Sequence, residues 1–182
     1  MPLLNSIATP YAEALLQVTE ARGETEQIAE EVKALLKIWE SSPELRNAMS
    51  SPVLEPEAKK VALIKLFSEQ ISQAFLNLLK LLADRKRISA LESVLLRFLE
   101  IYREARNIAL AEVTSAIPLN EEQKNLLIQK IRVVAGTEQV ELHVSVDPLI
   151  IGGFIVSIGS QVIDASLAGQ VRRLGLALAK LG

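Results

Sequence analysis

The chain has no cysteine, one histidine, one tryptophan and only 4% aromatic residues among its 182. Without cysteine there is no disulfide framework, no thiolate zinc or iron–sulfur site and no thiol nucleophile. A zinc site built on histidine, or a Ser-His-Asp triad, would rest on His143 alone. An excess of either charge is missing too. Lys and Arg total 20 against 22 Asp and Glu, a net charge of −2. Such a balance gives no general pull toward nucleic acid or anionic lipid. No uninterrupted apolar run approaches the roughly 18–20 residues needed to cross a bilayer. The first ten residues lack the basic start and apolar core of a signal peptide, so a soluble intracellular protein is expected. What is abundant is apolar side chain, 49% of the sequence. That surface must be buried within the chain or against partners.

Residues 1–106 read as helix throughout. Thr9-Pro10 fits an N-cap followed by proline at the first helical position, with a start near Asn5 as the alternative, and Gly23 ends this helix. A second runs from about Glu24 to Glu40 with Ile28, Val32, Leu35, Leu36 and Trp39 on one face. A short third lies between Ser42-Pro43 and Ser51-Pro52. A fourth starts near Glu55-Pro56 and carries Val61, Leu63, Ile64, Leu66 and Phe67. A fifth spans about Ile71 to Asp84. A sixth spans about Ser89 to Arg106, with Leu91, Val94, Leu95, Phe98, Ile101 and Tyr102 inward. Short connections between amphipathic helices predict a bundle.

After Asn107 the period changes. Val140, Leu142, Val144 and Val146 alternate with polar residues, as in a half-buried strand. Asp147-Pro148 is a turn, and Ile151 to Ile158 and Val162-Ile163 form further strands about Gly159. Ile108 to Ile117 is extended and expected to pair with them. A helix from Glu121 to Ala135 has Asn120 and Gln123 at capping-box positions and Gly136 as its stop. A last helix covers about Leu167 to Leu181. The fold expected is α+β in two domains: a six-helix bundle over 1–106, then 107–182 as a small unit with a short, mainly antiparallel sheet and two helices. Charge does not separate them. The first part carries 14 basic and 15 acidic residues, the second 6 and 7.

The first and fifth helices are unusually apolar. On the first, Ile7, Ala8, Tyr11, Ala12, Ala14, Leu15, Leu16 and Val18 fill an arc of roughly 200°, about twice an ordinary one-sided face. On the fifth, the arc from Leu81, Ala74 and Leu78 round to Leu76 reaches roughly 220°, with Ser72 the one polar residue inside it. Either both helices are central, or one edge of each lines a groove for a foreign amphipathic helix. Ile7, Tyr11 and Ala14 lie at one edge of the first; Ala74, Leu78 and Leu81 lie at one edge of the fifth. In the last helix, Leu167, Val171, Leu174, Leu178 and Leu181 form a seam that could dock on its own sheet, with Leu176 facing away as an outer contact.

No catalytic constellation emerges. His143 alternates with core valines and belongs to the polar face of its strand. Gly152-Gly153 and Gly159 match no phosphate-binding spacing and suit hairpin geometry. Asp84-Arg85-Lys86-Arg87 reads as a solvated helix end whose cations complement the helix dipole. No catalytic, metal-binding or cofactor-binding residue is expected.

Two segments carry a resemblance. Ala8 to Leu15, ATPYAEAL, looks like the opening A-x-P-Y-A-x-A-L of the delta subunit of F-type ATP synthases, the counterpart of the mitochondrial oligomycin sensitivity conferring protein. Residues 147–174, DPLIIGGFIVSIGSQVIDASLAGQVRRL, resemble its C-terminal signature at Gly152, Gly153, Gly159, Asp164, Ser166 and Leu174. Leu78 to Ser89 is similar to its middle stretch. Thr9 departs from the pattern, since many members have Arg there. The wording VIDASLAGQ leans toward the cyanobacterial or plastid branch. The resemblance implies a non-catalytic stator subunit on the cytoplasmic side of a thylakoid or plasma membrane, held there only through its complex. It implies that the bundle takes an alpha-subunit N-terminal helix between its first and fifth helices; from the edges of the two apolar arcs, Ile7, Tyr11, Ala14, Ala74, Leu78 and Leu81 are the residues expected to bind it. It implies that the C-terminal domain holds the b and b' stalk subunits; on the last helix that contact is expected around Leu174, Leu176 and Leu178. The competing reading, a helical RNA-binding antitermination-type adaptor, needs a basic face that the charge balance does not supply.

Overall fold

The computed structural model describes the backbone of residues 2–179 and the side chains of residues 6–173. The chain divides after Tyr102 into two compact units.

The first unit is helical. It contains α1 (Pro2–Arg22), α2 (Thr25–Ser41), α3 (Pro43–Ser50), α4 (Pro56–Phe67), α5 (Gln73–Asp84), a 3-10 turn (Ile88–Ala90) and most of α6 (Leu91–Arg106). Pro10 lies inside α1 rather than at its start. Pro2 instead occupies the first position, where a missing N–H costs nothing, and Pro10 forgoes one ladder bond within a long helix. Gly23, at φ +69°, ends α1. The Gly23 N–H donates to the Glu20 carbonyl (3.1 Å) and the Glu24 N–H to that of Thr19 (3.0 Å), a Schellman stop that satisfies two carbonyls of the last turn.

α5 is shorter than its apolar run. Ser72 is not a polar member of the helical arc but its cap, accepting from the Phe75 N–H at 3.4 Å. α1 packs on α2, on α5 and on the 3-10 turn, and α4 packs on α5. Ile28, Leu63, Phe75, Leu79, Leu82, Leu95 and Phe98 are fully buried between them. Ile101 and Tyr102 are only half-buried, and the Tyr102 ring stacks on Phe98 at 6.3 Å between centroids. On α4, Leu63 and Phe67 reach the core while Val61, Ile64 and Leu66 stay exposed.

The second unit takes over at the last turn of α6, where Arg103 Nε donates to Glu141 Oε2 at 2.6 Å. It contains β1 (Ile108–Ser115), α7 (Glu121–Ala135), β2 (Gln139–Val146), β3 (Phe154–Ile158), β4 (Gln161–Asp164) and α8 (Leu167–Ala179). The sheet order is β2-β1-β3-β4. β3 joins β1 and β4 joins β3 antiparallel. β2 runs parallel to β1 because α7 carries the chain back to the starting end, the crossover that a parallel pair requires. α7 starts at the capping box: Asn120 Oδ1 accepts from the Gln123 N–H (2.8 Å) and Gln123 Oε1 from the Asn120 N–H (2.9 Å). Its Leu127 and Ile131 cover Ala111 and Val113 of β1 and Val156 of β3. Gly153, at φ +80°, passes against the Ala165 carbonyl where a Cβ would collide, so the Gly-Gly pair serves backbone packing rather than phosphate binding.

A candidate partner groove and a capped C-terminal helix

α1 turns Ala8, Ala12, Leu15 and Thr19 fully into the bundle. The next strip round the helix is not covered. Ile7 and Tyr11 are half-buried, and Ala14 and Val18 are exposed. On α5 the edge residues divide. Ala74 and Leu78 each retain only 7% exposure, while Leu81 retains 42%. Ala74 and Leu78 belong to the bundle core, so Leu81 is the open part of that edge. Tyr11 and Leu81 meet at a surface cavity of about 430 Å³, which Arg85 and Arg87 complete. Arg87 Nη1 donates to Tyr11 Oη at 3.1 Å, and its guanidinium carbon lies 5.9 Å from the ring centroid. Of the six residues singled out on these helices, Tyr11 and Leu81 line the cavity, Ile7 and Ala14 flank it along α1, and Ala74 and Leu78 lie beneath the surface. Arg85 and Arg87 were not among them. Their basic run was visible, but their place beside Tyr11 depends on how the chain turns after α5.

The second candidate surface is α8. Leu174, Leu176 and Leu178 lie on its backbone, but their side chains are outside the described residues, as is Leu181. The first two members of the seam, Leu167 and Val171, are exposed at 51% and 67% rather than docked on the sheet. The start of α8 is tightly fixed. Ser166 Oγ accepts from the Gly169 N–H (3.0 Å), capping the helix, and donates to Asp164 Oδ1 (2.6 Å). Asp164 Oδ1 also accepts the Ser166 N–H at 3.0 Å. Arg172 Nη2 reaches Asp164 Oδ2 at 3.2 Å, and Arg173 Nη2 reaches the Asp164 carbonyl at 3.0 Å. The two hydrogen bonds from Ser166, then the Arg173 and Arg172 charges, hold the Asp164 carboxyl below the usual carboxylate range. A Cβ at Gly169 would overlap that carboxylate, so the D-x-S…G spacing of the signature describes one cap.

His143 is exposed on β2, in register with Glu112 of β1. Among the described residues no group of three or more His, Asp or Glu is placed to hold a metal ion. Among them, too, no helix is long and apolar enough to cross a membrane.

A helical bundle with an open apolar strip on α1, followed by a mixed-sheet unit whose last helix begins with exposed Leu167 and Val171, defines a class of two-unit scaffold that leaves apolar surface uncovered. The model of the family described as "ATP synthase delta (OSCP) subunit" matches residues 7–178. The ATP synthase subunit delta of the organellar chromatophore of Paulinella chromatophora is 81% identical over 182 residues, all of both chains. That of Synechococcus sp. (strain CC9311) is 66% identical over 99% of each. A chain in the cryo-EM structure of the Toxoplasma gondii mitochondrial ATP synthase hexamer has the same fold, with a TM-score of 0.74 at 22% identity, over 93% of this chain and 96% of that one. The chain belongs to the ATP synthase delta (OSCP) subunit family: it is a structural, non-catalytic stator subunit of an F-type ATP synthase. This membership sets aside the RNA-binding alternative.

Proposed function

We propose that the chain joins the alpha-subunit N-termini of the catalytic head to the b and b' subunits of the peripheral stalk, so that the head resists rotor torque. The helical unit takes an amphipathic alpha-subunit helix along the α1/α5 edge, over Ile7, Tyr11, Ala14 and Leu81, with Ala74 and Leu78 as the apolar floor. The observation that carries this is the open strip on α1, where Ala14 and Val18 stay exposed beside a half-buried Tyr11. Small Ala14 lets a second helix approach closely, and Tyr11 offers a broad apolar ring with a polar tip for the rim. The α+β unit takes the stalk, around Leu174, Leu176 and Leu178 of α8. The exposure of Leu167 and Val171, which share the seam of Leu174 and Leu178, supports that side of the surface, while Leu176 takes the opposite side of the helix. The chain then sits at a thylakoid or plasma membrane only through its complex.

Calorimetry with an alpha-subunit N-terminal peptide tests the first contact. Ala14→Asp places a charge in the apolar strip and is expected to abolish binding while circular dichroism stays unchanged. Parental affinity in this folded variant would remove the strip from the site. Leu176→Asp is expected to abolish capture of the stalk subunits and to spare the alpha peptide; loss of both, or of neither, contradicts the division of labour.

A further inference from the structure

Three cations stand at the end of α5, and the structure gives them an unusual setting. Arg85, Lys86 and Arg87 are all exposed. The helix closes with the Arg85 N–H on the Leu81 carbonyl (3.0 Å) and the Arg87 N–H on that of Leu82 (2.8 Å). Lys86 takes the left-handed position, at φ +54°, where glycine is usual. This turn leaves Arg87 beside α1, with its guanidinium bonded to the Tyr11 hydroxyl and set against the ring. Arg85 lines the same cavity together with Leu81. The acidic neighbour in sequence, Asp84, is taken by Lys60 of α4 at 2.7 Å. None of the three cations has a carboxylate partner among the described residues. The helix dipole accounts for a cation in the last turn. It does not account for a guanidinium held against a tyrosine of another helix, next to an exposed leucine.

We propose that this end of the groove is a charged stop that sets the direction of the docked helix: Arg85 and Arg87 receive a carboxylate of that helix. The inference rests on the groove being the head-binding site. The partner it specifies is an amphipathic helix with an Asp or Glu three or four residues from the apolar side chain that lies on Leu81 and Tyr11, since that spacing puts both on one face. Apolar contact is non-directional, and a helix laid either way along the α1/α5 edge could fill it. A carboxylate that meets cations in only one orientation fixes the register and the direction. Guanidinium suits the task through its planar donor fork. The bond to Tyr11 restrains Arg87 beforehand, so less side-chain entropy is lost on docking.

The test uses the full chain and the N-terminal peptide of the alpha subunit from the same complex, with each acidic residue of the peptide changed in turn to Gln. Replacing both Arg85 and Arg87 by Gln is expected to weaken binding by about five- to ten-fold, the effect of two exposed ion pairs. The loss should shrink as salt is raised. One acid-to-Gln peptide should bind the parent and the double variant equally. If the double variant keeps parental affinity while Ala14→Asp abolishes binding, the groove stands and the charged stop is wrong. Should the double variant weaken every peptide alike, including all the neutralised ones, the arginines act only on the shape of the groove and the proposal falls. Parental affinity in both Ala14→Asp and the double variant would overturn the groove reading and this one with it.

Discussion

The two units bury their apolar residues to very different degrees. The helical unit closes a large core, from Ala8 and Leu15 of α1 to Phe98 and Leu99 of α6, and leaves open selected strips. Among the described residues the α+β unit fully encloses only Ala111, Val113, Leu127, Ile131 and Val156, with half-buried residues such as Leu142, Val144 and Phe154 packed around them. Val133, Leu149 and Ile151, each more than three-quarters exposed, remain outside that core. Small units bury a smaller share of their surface than large ones. A bundle with a full core can keep its shape while one edge is lent to a partner. A thin sheet unit with exposed apolar residues gains more from being covered. On the proposed reading the two ends of the link are thus built differently, one as a rigid receiver and the other as an element that a bound partner would complete.

That contrast can be broken at the cores. Phe98→Ala removes a fully buried ring from the bundle and should cost about 3–5 kcal/mol of its stability. Trp39, buried in the same core, reports the transition by fluorescence in a urea titration. Val156→Ala in the second unit should cost about 1.5 kcal/mol, read by amide exchange in β1 and β3. A reversed order would contradict the account of the two cores. The next effect in size is at the α8 cap: Ser166→Ala should cost about 1 kcal/mol and speed exchange of the Gly169 amide, which loses its acceptor.

Proton linkage separates the units further. Asp164 has a carboxyl held below its ordinary value of 3.8, so its stabilising contribution is complete above that pH and is lost as acid protonates the folded form. The protection of amides at the start of α8, taken relative to their intrinsic exchange rates, should therefore fall on acidification, and Asp164→Asn should remove that pH dependence. Lys60 behaves oppositely. The hydrogen bonds that Lys60 Nζ donates to Asp84 and then to Glu57 raise it above 10.5, so its contribution is present below that pH and fades as alkali deprotonates the folded form. The α4–α5 contact should loosen at the alkaline edge while α8 does not, a small effect visible in the exchange of α4 amides.

Much of this was legible from periodicity. The face of α2 from Ile28 to Trp39 is buried as its spacing predicts, and the Asn120–Gln123 box and Gly136 bound α7 as their chemistry dictates. The missed features are those decided by neighbours distant in the chain. Thr9-Pro10 fits a helix start because proline favours that position, but the alternative, an earlier start, holds and reaches further than Asn5, with Pro2 at the head of α1. Ser72 fell inside an apolar arc by angle alone but serves as a cap, since a run of apolar residues does not mark where helical dihedrals begin. The arcs on α1 and α5 indicated how much apolar surface there was, not which strip the bundle would shield; Ala74 and Leu78 are covered and Leu81 is not. The basic run after Asp84 carried no sign that Arg87 would rest on Tyr11, because that contact spans 76 positions in sequence.

The central claim is that the bundle's uncovered α1/α5 edge, and not the exposed apolar residues of α4, receives the helix from the catalytic head. Amide chemical-shift mapping of the full chain with the alpha N-terminal peptide tests this directly. The account predicts changes concentrated at Ile7, Tyr11, Ala14, Leu78, Leu81 and Arg87. Changes centred instead on Val61, Ile64 and Leu66, with α1 silent, would contradict it.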